Sequence, residues 1–171
     1  AAMAMIVAGE VLPEQLGAFL MLLRFKEETA EEIAGFVAAA RAAIELPEGT
    51  PRVDLDWSSY AGKRRQLPWF LLSAWLLSGN GIRVFMHGVE GHTPGRLYAR
   101  PALEALGLAA QASLAEAARA LEAHGFAYLG LEHISPRMHE LIGLKPILGL
   151  RSPAHTISRM LNPFDAPCSL Q

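Results

Sequence analysis

Three consecutive cations, Lys63, Arg64 and Arg65, follow two aromatic residues, Trp57 and Tyr60, near the middle of the chain. Adjacent like charges repel one another, so such a run adds nothing to local stability. It comes just after a short apolar segment that is predicted to be a strand, and ligands of α/β proteins bind beyond the C-terminal ends of strands. A solvated loop is the alternative, but the position beside aromatic rings favours an anionic partner.

The charged residues are unevenly distributed along the 171 residues. Residues 1–50 hold three Lys or Arg against eight Asp or Glu, whereas residues 51–100 hold seven against three. The formal net charge of the whole chain is −2, so the middle segment is a basic patch on an otherwise acidic molecule. Such asymmetry steers a polyanion towards one face.

Other kinds of site have weaker support in the sequence. The six histidines lack the i, i+4 spacing of a zinc protease helix, and no metal site is predicted. His87, just before Gly88 at a strand end, is interpreted as a hydrogen-bonded structural residue. The glycine-bearing loop at 88–96 fits neither a P-loop nor a dinucleotide fingerprint, although its backbone amides could hold phosphate and Arg96 stands at its end.

The first 50 residues have a helical pattern. Apolar residues recur at helical spacing over residues 13–26, and Thr29 with Glu32 forms a capping box that opens a further helix. A linker rich in proline and glycine follows. Arg151 and Arg159 flank the last predicted helix, and Lys145 precedes it. They either cap C-terminal carbonyl groups or lie in solvent, or they share a surface with the three central cations.

From residue 52 onward, short apolar strands alternate with helices, which is typical of a parallel sheet covered by helices. The predicted strands are residues 53–56, 82–86 and 126–131. The fold class is therefore α/β, with a small helical domain beside a parallel-sheet domain. We predict an N-terminal helical domain at 1–50, an α/β domain at 51–135 and further helices at 136–171. A sheet of three strands is thin, so a fragment of a longer chain is expected.

The cellular location is inferred from cysteine and hydropathy. Cys168 is the only cysteine, so no internal disulfide can form, which fits a reducing cytoplasm. We see no signal peptide with a cleavage site. The longest apolar run falls well short of the ~20 residues that span a bilayer. A cytoplasmic protein that does not enter the membrane is predicted.

The segment AFLMLLRFKEETAEEIAG at residues 18–35 closely resembles the N-terminal helical domain of anthranilate phosphoribosyltransferases, which belong to glycosyltransferase family 3. The resemblance continues through short matches as far as Leu161-Asn162-Pro163. It implies a nucleoside phosphorylase-like fold, dimerisation through the helices, a return of residues 136–171 to the helical domain, and a chain that continues past Gln171.

The departures from the family pattern carry the functional argument. A glycine-rich loop that wraps the pyrophosphate of phosphoribosyl pyrophosphate in the family is replaced here by residues 57–61, which are bulky. The family's Lys-His-Gly-Asn-Arg becomes residues 86–90, and its anthranilate-binding arginine corresponds to Lys145. Degenerate donor-site positions are Ser58, Ser59, His87 and Gly88. The chain resembles the YbiB-type, DNA-binding branch, in which a Trp-x-Ser-Tyr-Ala-Gly-Lys-Arg-Arg loop recurs.

The resemblance therefore implies a non-enzymatic protein that binds DNA or RNA, most readily single-stranded, without sequence specificity. Trp57 and Tyr60 are the predicted base-stacking residues, and no catalytic residue or cofactor is predicted. The predicted phosphate contacts are Lys63, Arg64, Arg65, Arg96, Lys145, Arg151 and Arg159. The alternative is a phosphoribosyltransferase that uses phosphoribosyl pyrophosphate with Mg²⁺. A third hypothesis is a scaffold that binds protein partners through its acidic helical unit.

Overall fold

The computed structural model describes residues 2–91 and 93–171, so the predictions that include Ala1 or His92 lie partly outside the described residues. The strands are β1 (Leu55–Ser59), β2 (Val84–Gly88), β3 (Phe126–Gly130) and β4 (Cys168–Leu170). The helices are α1 (Ala2–Ala8), α2 (Pro13–Lys26), α3 (Ala30–Ala42), α4 (Phe70–Gly79), α5 (Ala99–Ala105), α6 (Leu114–His124), α7 (Leu131–Ile134), α8 (Pro136–Gly143), α9 (Lys145–Leu148) and α10 (Ala154–Arg159).

Local sequence signals fix the ends of the longer helices. Thr29 Oγ1 accepts the N–H of Glu32, and the Glu32 carboxylate accepts the N–H of Thr29, so the capping box at α3 is formed. Ser113 Oγ accepts the N–H of Glu116 at the start of α6. That helix ends at Gly125, whose φ of 68° is in the left-handed region that glycine adopts without strain.

The four strands form one parallel sheet in the order β3-β2-β1-β4. Every residue of β2 and β3 is buried, whereas β4 is an exposed edge strand. Continuous apolar strands are expected where helices cover both faces of a parallel sheet. Two apolar clusters occupy these faces, one with Phe85, Leu121 and Phe164, the other with Met86, Leu71 and Tyr128. The α/β prediction is confirmed.

Several predicted elements differ from the structure. The prediction of a three-stranded sheet followed only by helices at 136–171 is wrong, because residues 168–170 pair with β1 as a fourth strand. Asn162 makes the turn that sends the chain back to the sheet, since its side chain both donates to and accepts from the backbone of Ala166 at 2.9 and 2.8 Å. The first strand also continues to Ser59, so residues 57–59 belong to β1 and not to a loop.

A third apolar cluster joins the helical part of the molecule to the sheet. It includes Leu20 of α2, Ala40 of α3, Met138 of α8 and Ile157 of α10, and Tyr60 just after β1 belongs to it as well. Helix α10 packs against both α3 and α8. The predicted boundaries at residues 50 and 135 stay a prediction, but the helices on either side of the sheet segment share this core.

Arg41 of α3 fixes the end of α10. Its guanidinium donates to the carbonyl oxygens of Leu161 and Met160 at 2.6 and 3.4 Å, which satisfies groups that a helix end leaves without partners. Because Arg159 is the last residue of α10, these bonds hold its backbone in place.

Among the described residues, no helix has the length and apolar content needed to cross a bilayer.

The end of β2 requires glycine at position 88. In the parallel register, Ser59 lies opposite Gly88, and a Cβ at that position would overlap the Ser59 carbonyl oxygen. Replacing Gly88 by alanine should therefore destabilise the fold by about 3 kcal/mol or more, at the upper end of overpacking costs. Urea unfolding midpoints measure this loss.

Gly35→Ala is the matched control, because this α3 glycine has no atom near its missing Cβ. It should stabilise the protein by about 1 kcal/mol, as alanine is the better helix former. Equal midpoints for the Gly88 variant and the unsubstituted chain would contradict the close contact between β1 and β2.

Candidate functional site

A pocket of about 360 Å³ lies at the C-terminal end of β1, and we call it the β1 pocket. It is in the position where α/β proteins bind ligands, beyond the carboxyl ends of parallel strands. Its walls come from β1, from the loop that follows, from the start of α4 and from the end of α10. The lining residues are Trp57, Ser58, Ser59, Tyr60, Ala61, Lys63, Phe70, Arg159 and Gln171.

An aromatic pair forms one wall of the β1 pocket. Trp57 is half-buried, and its ring centroid lies 6.0 Å from that of Phe70, with the planes inclined by 36°. The Lys63 ammonium lies 5.6 Å from the centre of the Phe70 ring, within reach of a cation–π interaction. The pocket therefore combines flat apolar surface with positive charge.

Lys63 and Arg159 are the charged side chains of the β1 pocket, and among the described residues no Asp or Glu lines it. They come from positions almost 100 residues apart in the chain, so only the packing of α10 brings them together. Other cations of the protein are neutralised: Arg41, Arg83 and Arg100, for example, pair with acids. In the part of the chain that the structure describes, none of the seven predicted phosphate-contact residues makes an ion pair.

Arg64 and Arg65 lie beside the β1 pocket. They are exposed and, with Lys63 and Gln66, line a shallow recess of about 350 Å³. We call residues 63–66 the cationic loop. Its first residue is held by two backbone hydrogen bonds between Lys63 and Leu97, at 2.7 and 2.8 Å. The loop thus has a fixed base and side chains that are exposed to solvent.

Arg96 has a supporting contact in this structure. Its guanidinium donates to the Gly62 carbonyl oxygen at 3.1 Å, just before the cationic loop. The Cβ of Arg96 also occupies the space beside Gly62, where any larger residue would meet it at 2.9 Å. Arg96 therefore holds the loop in position, next to the exposed cations.

Lys145 and Arg151 do not line the β1 pocket, but they lie near its α10 wall. Burial lowers the pKa of His155 in α10, and the positive charges of Arg151, Lys145 and Arg159 lower it further. These three cations therefore act electrostatically on one histidine of α10. That Lys145 and Arg151 share a surface with the three central cations stays a prediction.

Behind the pocket, three buried side chains form a hydrogen-bonded chain. The Tyr60 hydroxyl lies 2.9 Å from His87 Nδ1, and His87 Nε2 lies 3.4 Å from the Asp56 carboxylate. Ser169 of β4 also donates to Asp56, at 3.2 Å. Which ring nitrogen of His87 donates and which accepts depends on its tautomer, but both are engaged in contacts.

This chain corrects the role predicted for Tyr60. Its ring is only 4% exposed, so Tyr60 cannot stack on a nucleobase in this structure, and it anchors the start of the loop instead. His87 and Gly88 are buried beneath it and do not line the pocket, whereas Ser58 and Ser59 do. The structural role that the sequence suggested for His87 agrees with this geometry.

Several residues of the site were missed by the sequence analysis. Asp56 and Ser169 were not selected, because their contact depends on β4 pairing with β1. Phe70 could have been found from its place at the start of the helix after β1. Glu90 accepts hydrogen bonds from the Tyr128 hydroxyl and the backbone N–H of Arg100, so this acid faces inward.

Within residues 2–91 and 93–171, no group of three His, Cys, Asp or Glu side chains could hold a metal ion.

The burial of Tyr60 predicts an effect of alkaline pH on stability. Burial raises the pKa of Tyr60 well above its ordinary value of 10.0, and the negative charge of Asp56 adds to this. Above pH 10 the unfolded chain loses the tyrosine proton while the folded chain keeps it, so stability falls as pH rises. Between pH 9 and 11, the free energy of unfolding of the unsubstituted protein should fall by about 1.4 kcal/mol more than that of Tyr60→Phe. Urea unfolding at each pH measures both values.

Tyr128→Phe provides the comparison, because burial also raises the pKa of Tyr128. In that variant, the fall in the free energy of unfolding between pH 9 and 11 should be smaller by a similar amount. If the Tyr60 variant and the unsubstituted protein lost the same stability over this range, the hydroxyl of Tyr60 would have to be in contact with water.

Comparison with known proteins agrees with this architecture. Residues 1–44 match the helical bundle domain of the glycosyl transferase family. The chain is 34% identical to the anthranilate phosphoribosyltransferase of Moorella thermoacetica, over 99% of this chain and 50% of that protein. It is 30% identical to the uncharacterized protein YbiB of Escherichia coli K12, over 91% of this chain and 49% of that protein.

A solved structure shows the same fold. The anthranilate phosphoribosyltransferase of Thermus thermophilus superposes with a TM-score of 0.81 and 28% identity, over 95% of this chain and 49% of that one. The chain thus spans about half the length of the curated relatives it matches. This chain is thus similar to the glycosyl transferase family helical bundle domain over residues 1–44, and nearly all of it is similar to about half the length of proteins named anthranilate phosphoribosyltransferase.

Proposed function

We propose that this protein binds single-stranded nucleic acid, DNA or RNA, through its phosphates and without sequence specificity. One observation carries the proposal: Lys63 and Arg159 converge on a pocket whose described lining has no Asp or Glu, beside two further exposed cations. Cations that meet without counter-charges repel one another, and a bound polyanion relieves this repulsion. The other supporting residues are Arg96, Lys145 and Arg151.

The distribution of these cations favours a long anion over a small one. Lys63 borders both the β1 pocket and the recess of Arg64 and Arg65, and Arg159 faces the pocket from α10. A chain of phosphates could contact all of these groups at once, and each contact would release counterions. Half-buried Trp57 offers an aromatic face next to them, on which an unpaired base could stack.

Replacing Lys63, Arg64 and Arg65 together by alanine should weaken binding and make it less dependent on salt. For a single strand, the slope of log affinity against log salt concentration is about −0.7 per neutralised phosphate, so losing three contacts should reduce the slope by about 2. Fluorescence anisotropy with a labelled oligothymidylate at several salt concentrations measures this slope.

Arg24, Arg52 and Arg119 replaced together by alanine form the matched control. These three arginines are exposed, and their replacement removes the same total charge from other parts of the surface. The control should leave the slope within the error of the unsubstituted protein. Equal slopes for both triple variants would show that net charge alone, and not the cationic loop, attracts the strand.

A phosphoribosyltransferase is the second candidate, because the names of several relatives support it. The residues present do not fit a glycine-cradled pyrophosphate. The space beside Gly62 is filled by Arg96 and Tyr98, and that beside Gly88 by the Ser59 carbonyl, so neither glycine offers open backbone to a phosphate.

Calorimetry on the full-length protein with phosphoribosyl pyrophosphate and Mg²⁺ tests the second candidate. We expect no saturable heat at millimolar donor, because side chains occupy the space of a backbone cradle. Saturable binding that is lost on Arg159→Ala would instead establish the β1 pocket as a donor site and favour the transferase.

Dimerisation through the helices and a cytoplasmic location remain proposals. Supporting the first, α2 exposes large apolar side chains, including Leu22 and Phe25, which is 90% exposed. Exposed apolar patches of this kind are typical of interfaces. The third hypothesis, binding of protein partners through the helical unit, rests on a different feature, which is the excess of acidic residues over residues 1–50.

A further inference from the structure

An apolar groove of about 250 Å³ lies next to the cationic loop. The ten residues that line it are all apolar, among them Leu67, Trp69, Leu72, Leu97 and Leu106. Two features place it against the loop. Leu67 directly follows Gln66, the last residue of the loop, and the Leu97 backbone pairs with that of Lys63, the first.

The groove exposes large apolar side chains to solvent. Trp69 is 62% exposed and Leu67 is 56% exposed, and Leu72 and Leu106 are also exposed. Several such residues around one concave surface indicate a binding site, whereas a single exposed leucine does not. Neither Trp69 nor the groove belongs to the β1 pocket.

The chemistry of the surroundings limits what the groove can hold. Its volume is below the about 300 Å³ at which ligand pockets for drug-sized molecules begin, so it suits one flat ring system. Its rim, the cationic loop, carries three cations that form no ion pair within the described chain. An occupant that complements both must join an apolar ring to a negative charge a short distance away. An unpaired nucleotide has this composition, whereas a duplex hides its bases from such a groove.

We infer that Trp69 and the apolar groove hold a nucleobase of a single strand whose phosphates lie on the cationic loop. This inference rests on the proposed function and adds to it a reason for preferring single strands over duplexes. Trp69 thereby takes the stacking role that burial denies to Tyr60. Trp57 and Trp69 then present aromatic surface in two recesses that share the cationic loop as a border.

Trp69→Ala in the full-length protein tests this assignment. Three probes are compared by anisotropy or competition: a fluorescein-labelled oligothymidylate, the same sequence as a duplex, and inorganic polyphosphate, which has charge but no bases. Stacking on an aromatic side chain corresponds to a loss of about 5- to 150-fold on its removal. We expect a loss in this range for the single strand, with polyphosphate and duplex affinity unchanged, and recovery of most of the affinity in Trp69→Phe.

Trp75→Ala is the matched control. Trp75 is 47% exposed on the helix that follows Trp69, but it lines a different recess, and the variant should bind all three probes as the unsubstituted protein does. Circular dichroism checks that both variants keep their helix content, which the exposure of both rings predicts.

The possible results separate this inference from the proposed function. Single-strand affinity that is unchanged in Trp69→Ala, but reduced by the triple alanine replacement in the cationic loop, overturns the base site and leaves the proposed function standing. Equal losses for the single strand and polyphosphate also overturn it, because Trp69 would then act on the loop. A lower sedimentation mass for Trp69→Ala would overturn it too, by assigning the groove to a second copy of the chain. If the triple replacement changes no affinity, the proposed function itself fails.

Discussion

The site depends on the helical core, the sheet and the cationic loop, and the hydrogen bond between the Tyr60 hydroxyl and His87 connects these three parts of the molecule. The Tyr60 ring packs in the core formed by the helices, whereas its hydroxyl reaches a histidine in the centre of the sheet. The cationic loop begins three residues later. Because a buried polar group without a partner costs free energy, this bond, together with the contact from His87 to Asp56, specifies a single arrangement of the loop relative to both layers.

The same packing separates the charges of the molecule. The acids near the site are occupied by internal contacts: Asp56 with His87 and Ser169, Glu90 with Tyr128, and Glu132 with Arg100. Across the described residues, the cations of the loop have no acidic partners. None of these acids lines the β1 pocket, whereas Lys63 and Arg159 do. An anion that approaches the pocket meets the cations first, while the inner acids keep the protein's own structure fixed.

The sequence predicted much of the fold because its signals are local. The capping box at Thr29, the N-cap at Ser113 and the glycine at 125 define helix ends through contacts within one turn of the chain. The Thr29 box is complete, whereas at Ser113 the Glu116 carboxylate accepts the N–H of Ala112 instead of that of Ser113. The fourth strand was missed, since three exposed residues after a turn at Asn162 carry no apolar pattern. The extent of β1 was also misjudged, because two serines in a strand resemble a loop when their partners, His87 and Gly88, are unknown.

By itself, the sequence determined the longer helices, the first three strands and the cations of the loop, because each of these is a property of neighbouring residues. Tertiary structure alone decided which of the aromatic residues are accessible, since Tyr60 is buried by contacts with residues far away in the chain whereas Trp69 is exposed. It also brought Arg159 to Lys63, through the packing of α10 on α3. Contacts between residues far apart in the chain depend on how helices and strands pack, and a single sequence contains no local signal for them.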